Sequence, residues 1–234
     1  MKALIYKEFK LAMHPVCYVF IALFPLMILI PKYPIAVGFI YIFTTYPILF
    51  LGANKGQQSN DLLYSTLLPV RKKDIVLARI LTVIIMQVSF ILLMTAFYPG
   101  AIAINNAIIR SVEEAKQAGK AVEDMTIPGL GLNSYVLMLA IAISGYAVAD
   151  FVYFTIYYKK GKSILLPTLL AILGFATYIC LVTIGLPYIP GLEFLNSIHI
   201  GIQFAVLGVA LLFSFGMHFI TYLVASKRFE KVDF

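Results

Sequence analysis

Charge is what this sequence lacks most. Only 12% of its 234 residues are Asp, Glu, Lys or Arg, against about 25% in an average soluble chain. Hydrophobic residues make up 62%, against roughly 45–50%. So few polar side chains cannot cover a water-soluble fold, and disordered, collagen-like and disulfide-scaffold classes fall with it. Tryptophan is absent, and the two cysteines, Cys17 and Cys180, sit inside apolar runs. They read as small core residues, with no disulfide framework and no zinc site. The three histidines, His14, His199 and His218, form no H-E-x-x-H pattern and no two stand four apart. Each reads as a helix-end or packing residue and not as a metal ligand. Gly161-Lys162-Ser163 looks like the tail of a phosphate-binding loop, but Ile156 occupies the position where that loop needs its first glycine. The chain therefore carries no nucleotide-binding motif, and neither an enzymatic role nor a bound cofactor is expected of it.

What is present is an all-α integral membrane protein. A spanning helix needs about 20 mainly apolar residues, and six stretches qualify: 16–30, 34–52, 75–104, 134–157, 164–186 and 198–225. The first is short, contains Pro25, and is divided from the second only by Pro31-Lys32-Tyr33-Pro34; a re-entrant hairpin is the competing reading there. The net charge of +7 does not point to nucleic acid, because the basic residues gather at the ends of apolar runs. With the N-terminus inside, the inner segments hold three, five, three and three Lys or Arg, which is 14 of the 18. That bias predicts cytoplasmic N- and C-termini and an even number of spans.

Three non-spanning segments stand out. Residues 1–14 put Leu4, Ile5, Phe9 and Ala12 on one helical face and Lys2, Lys7, Glu8 and Lys10 elsewhere, the pattern of a helix lying in the membrane interface. Residues 59–74 combine a short apolar helix, with Ser59 or Asn60 as its cap and Pro69 as its stop, with the basic cluster Arg71-Lys72-Lys73. Asp74 can cap the third span. The residues fit equally a docking helix for a partner or an interfacial turn held by lipid phosphates. Residues 105–133 read as an outer loop: 107–125 is helix-compatible, a solvated extension of the third span, and is broken by Pro128-Gly129-Leu130-Gly131. Residues 185–198, apolar and interrupted by Pro187, Pro190 and Gly191, suit a re-entrant hairpin.

Asp150 is the one acidic residue well inside a span, toward the inner half of the fourth. It must face protein or water; it lines a translocation path, pairs with a polar residue on another helix, or is reached by interfacial water. Gly145 with Ala149 and Gly201 with Ala205 form small-xxx-small pairs that permit close helix approach.

Three stretches carry a resemblance to a known family: Leu4-Ile5-Tyr6-Lys7-Glu8-Phe9-Lys10, residues 65–79 reading STLLPVRKKDIVLAR, and Lys227-Arg228-Phe229-Glu230-Lys231-Val232-Asp233. The chain resembles a permease subunit of the ABC-2 (type V exporter-like) transporters, whose ATPase is often a separate polypeptide. The middle stretch is similar to that family's S-L-P-V-x-R-x-[DE]-I-V-x-[AG]-[KR] loop and departs from it by Thr66-Leu67-Leu68 and the extra Lys72. Within the family, size and flanking motifs resemble the phenol-soluble-modulin exporter permeases, which expel amphipathic toxic peptides.

The resemblance implies a bacterial cell-membrane exporter subunit. It would work with a separate ABC ATPase, which binds ATP and Mg, and with a second permease copy or related chain. It implies that residues 59–74 are the coupling helix, with Asp61, Leu62, Leu63, Leu67, Leu68, Pro69, Arg71, Lys72 and Lys73 meeting the ATPase. Residues 1–14, with Lys7, Phe9 and Lys10, become the interfacial connecting helix. Two other classes remain: a stand-alone secondary transporter or channel, in which Asp150 would be needed, and a membrane immunity protein without flux.

Overall fold

The computed structural model describes residues 1–12, 16–30, 65–67, 69–119, 132–160, 165–185 and 199–232. Among them every regular element is helical, with no strand. Helix α1, Lys2–Lys7, widens into a π-helical turn over Glu8–Ala12. Helix α2, Val16–Leu23, tightens into a 3-10 turn over Phe24–Leu29, where Pro25 takes a first-turn position that needs no N–H donor. Then follow α3, Lys72–Gln117; α4, Leu132–Lys160; α5, Leu165–Cys180, prolonged by a π-helical turn over Leu181–Gly185; and α6, Ile200–Glu230.

Four helices, α3 to α6, are long and apolar enough to cross a membrane, and Val16–Leu29 is a shorter apolar helix. The chain is thus a multi-pass membrane protein by length and composition. The expected count of six is not reached among the described residues, because the second span, 34–52, lies outside them. The first is shorter than a free-standing span, yet it is not shallow. Glu8 bonds Arg79 near one end of α3, and Leu29 lies against Gly100 further along it. The helix rises about 31 Å between Arg79 and Gly100, close to the roughly 30 Å of bilayer hydrocarbon. The described residues on either side of the expected second span lie far apart along α3, Leu29 against Gly100 and Ser65 bonded to Lys7 beside Glu8.

Helix α3 is a single rod of 46 residues. Its N-cap is Arg71 and not Asp74; Asp74 sits in the first turn and accepts from Arg71 at 2.9 and 3.3 Å. Pro99 lies inside the helix without ending it. The N–H it lacks would have met the carbonyl of Thr95, whose hydroxyl donates to the Ile91 carbonyl at 2.8 Å. The charged extension past Ile104 is continuous with the span, but it stops at Gln117, short of the expected Met125. Gly119 takes a positive φ of 73° and gives its N–H to the Lys116 carbonyl at 3.0 Å. A glycine in that left-handed position satisfies an end carbonyl at little steric cost and turns the chain off the helix axis.

Helix α4 is the core of the bundle. It packs on α5 along one side and α6 along the other, while α3 packs on α6 and on the segment Phe24–Leu29. Tyr146, Ala147, Ala149, Tyr153, Phe154, Tyr157 and Tyr158 of α4 are all buried, so polar and aromatic residues face inward around most of its circumference. At Gly145 a side chain would overlap the Phe175 ring of α5, which stacks near Tyr146 with centroids 6.0 Å apart. Here a small residue does admit close approach. Gly201 has no atom near enough to touch an added Cβ, so the second small-residue pair makes no such contact among the described residues. Gly145→Ala should force Phe175 from its place and cost about 1–3 kcal/mol, read as a lowered unfolding midpoint in detergent. Gly145→Ala with Phe175→Leu should recover part of that loss, and purely additive losses would show that the two sites are not in contact.

Candidate functional site

One end of the bundle gathers the basic residues. There α1, the helical turn at 65–67, the start of α3 and the ends of α4 and α6 meet. Lys7 Nζ hydrogen-bonds the buried Ser65 Oγ. The next residue, Glu8, is 4% exposed and takes a bidentate pair from Arg79, Nε to Oε2 at 2.8 Å and Nη2 to Oε1 at 3.2 Å; Arg79 is 2% exposed. Lys7 Nζ also stands 3.7 Å from Glu8. Lys7 at the end of α1 and Glu8 at the start of its π-helical turn thus tie the 65–67 turn and α3 together. This corrects the expected face of α1: Leu4 is buried and Ile5 and Phe9 half-buried as anticipated, but Glu8 is buried with them. A carboxylate accepts that site because a guanidinium already lies inside α3, between Ala78 and Ile80.

At the same end Lys72 Nζ donates to the backbone carbonyls of Val232 at 2.8 Å and Glu230 at 3.4 Å and lies 6.0 Å from the Phe229 ring. Arg228 donates to the Thr155 carbonyl of α4. A cation among the last carbonyls of a helix is favoured by its dipole. Lys72 therefore holds the end of α6 within the chain.

The residues expected to meet an ATPase divide accordingly. Asp61, Leu62, Leu63 and Leu68 lie outside the described residues. Leu67 is 72% exposed, Pro69 is exposed, and the Arg71 side chain is 71% exposed while paired with Asp74. Lys73 is half-buried. On α1, Lys10 is exposed; its Nζ donates to the Tyr6 hydroxyl at 3.0 Å and sits over that ring. His14, residues 186–198 and residues 120–131 lie outside the described residues.

A second polar site sits in mid-bundle. Asp150 of α4 is fully buried. Its Oδ2 accepts from Gln87 Nε2 of α3 at 2.9 Å and lies 3.0 Å from His218 Nε2 of α6. His218 Nδ1 lies 2.7 Å from the Ser214 carbonyl. Nδ1 also lies 3.3 Å from the Ser214 hydroxyl, so the imidazole is held by its own helix on one side and meets the carboxyl of α4 on the other. Asp150 thus pairs with polar residues on two other helices. His218, read from sequence as a packing residue, is its partner. The signal was present but weak: an imidazole in an otherwise apolar stretch, as costly to bury alone as the aspartate it meets. Arg79, missed in the same way, had the same signal. Among the described residues no three His, Cys, Asp or Glu side chains gather as metal ligands would.

These features define a helical, multi-pass membrane protein whose polar contacts are concentrated at one end and at one buried node. Residues 3–115 match the family model described as ABC-2 family transporter protein, which supports an ABC-2-type permease. The match covers just under half of the chain and contains α1, α2, the 65–67 turn and α3 as far as Ala115. No curated protein and no solved structure matches the chain.

Breaking the Glu8–Arg79 pair from one side should be costlier than removing it. Arg79→Leu strands a buried carboxylate and should lose about 3–5 kcal/mol, whereas Glu8→Leu with Arg79→Leu should regain most of it. Unfolding of the purified variants in detergent checks this, and equal losses in the single and double variants would refute the coupling.

Proposed function

We propose that this chain is the membrane-spanning subunit of an ABC-2-type exporter. It would be driven by a separate ATPase docked at its basic end, with both termini on the cytoplasmic side of a bacterial cell membrane. The observation that carries this reading is the family match over 3–115, which includes every described residue of the Lys7–Ser65 and Glu8–Arg79 contacts. The exposed Leu67 adds support, because it projects from a turn whose neighbour Ser65 is held by α1. Residues 59–74 act in this reading as the coupling helix, α1 as the connecting helix, and ATP and Mg are bound by the partner. Among the described residues Leu67, Pro69, Val70 and Arg71 are exposed there and available for docking; Lys72 serves inside the chain.

Such a subunit works as a dimer or beside a related chain, so that two docked ATPases can close on each other. The substrate in this proposal is an amphipathic peptide. Its support is the resemblance in size and flanking motifs to the peptide-toxin exporter permeases and the apolar face of α6, where Phe204, Phe215 and Phe219 are exposed.

The test is purification of the tagged full-length chain from its native membrane. An ABC ATPase should copurify in stoichiometric amount. Leu67→Asp should lower its recovery about tenfold or more, as loss of an interface anchor does, while leaving the chain's unfolding midpoint unchanged. A native preparation with no ATPase would overturn the proposal. In vesicles holding the whole complex, labelled amphipathic peptide should be moved only when ATP is supplied.

A further inference from the structure

Among the described residues two acidic side chains are buried, Glu8 and Asp150, and they are held in opposite ways. Both oxygens of Glu8 are filled by one guanidinium, Arg79 Nε on Oε2 and Nη2 on Oε1. A guanidinium does not lose its proton in a protein, so Glu8 is a fixed anion beside a fixed cation. Asp150 has no such neighbour. Its Oδ2 takes a neutral amide, Gln87 Nε2 at 2.9 Å, and meets the imidazole Nε2 of His218 at 3.0 Å. Its Oδ1 is buried and has no hydrogen-bond partner among the described residues. The cation that can offset this carboxylate is the one that His218 becomes when it gains a proton.

The other ionisable groups around the pair do not compete with it. Helix α4 contributes Tyr146 and Tyr153, one turn to either side of Asp150 and both buried. Helix α3 contributes Gln87 and, eight positions away, Arg79, already bound to Glu8. The titratable residues of α5 are Tyr178 and Cys180, and α6 adds Tyr222 one turn beyond His218. Phenol, thiol and guanidinium all ordinarily titrate above a carboxyl or an imidazole. Nor does the site suit a metal ion, which needs several oxygen ligands: Gln87 presents its nitrogen, and Oδ1 is the one carboxyl oxygen not engaged. Access is unequal. The Asp150 side chain is 1% exposed and that of His218 12%, with Ser214 holding the other ring nitrogen on the half-buried side of α6. The imidazole is thus the edge by which Asp150 reaches the surface of the bundle.

We propose that Asp150 and His218 form a proton-binding site inside the membrane, loaded through the imidazole. A carboxylate beside a neutral imidazole carries one negative charge. One added proton makes the pair neutral, whichever group holds it, and a second makes it cationic. A site without a fixed counter-charge in an apolar bundle therefore has its net charge set by the protons it holds. The two groups titrate as one unit, and not as an aspartate and a histidine apart. The site is a property of this chain alone and stands whether or not an ATPase drives it.

The test is a titration of the full chain in lipid nanodiscs between about pH 4 and 10. Nuclear magnetic resonance of isotopically labelled histidine rings follows His218, and the infrared stretch of the protonated carboxyl follows Asp150. In the unaltered chain both signals should change at shared midpoints. Asp150→Asn should weaken proton binding at His218 about tenfold or more, a shift of at least about one pH unit, and leave the signals of His14 and His199 in place. His218→Gln should displace the Asp150 carboxyl step by a similar factor. Either variant serves if the other is not recovered folded, and the shared midpoints are read without any variant. The proposal is overturned if neither group changes its protonation over that range, if the two change at unrelated midpoints, or if a folded variant leaves the remaining group's midpoint where it was.

Discussion

Hydrocarbon offers neither donors nor acceptors, so an ionisable group in this chain's interior must find its partner within the chain. That constraint positions more of the structure than the apolar contacts do. Glu8 and Arg79 are far apart in sequence, and each alone would be a stranded charge; together they set where α1 meets α3. Asp150, Gln87 and His218 come from three different helices and fix the rotation of each about its axis. Apolar side chains exchange one lipid-like neighbour for another at little cost, and small residues help only where backbones approach. A guanidinium or a carboxylate has one acceptable place.

The two polar sites solve that problem differently. At the basic end the charges are bidentate and buried, and adjacent groups hold further elements: Lys7 takes Ser65, Lys72 takes the last carbonyls of α6, and Arg228 takes Thr155. Together these contacts brace this end. In mid-bundle one carboxyl meets an imidazole of α6 and a single amide of α3. Both sites engage the same helix, separated along α3 by the eight positions from Arg79 to Gln87, about 12 Å.

Much of this was legible in the sequence, for physical reasons that differ by element. The ranges of α4, α5 and α6 follow from apolar runs of near-membrane length, and the run of α3 beyond Ile104 follows from helix-compatible charges. The end of α3 was misplaced because Pro128 and Gly129 are the louder breakers, whereas Gly119 needs only a positive φ. Glu8 was assigned to the polar face because helical periodicity knows nothing of a guanidinium that arrives from a distant helix. His218 was read as packing for the same reason: one histidine has no spacing signal, and its partner is on another helix. Asp150 stood out because a lone carboxylate in a span is conspicuous, but nothing in a linear pattern says which helices face it.

The family match ends near the far end of α3 and excludes α4 to α6. Displacement applied at the 65–67 turn has two routes into the bundle: along the chain into Arg71 and α3, and through Lys7 and Glu8 into Arg79, again α3. Both arrive at one helix. From α3 the described routes onward are its packing against α6 and Phe24–Leu29, the Lys72 contacts at the braced end, and the Gln87–Asp150 and Thr95–Tyr135 contacts with α4. A single helix of 46 residues thus links the contacts at Arg71 and Arg79 to the packing on α6 and Phe24–Leu29 further along.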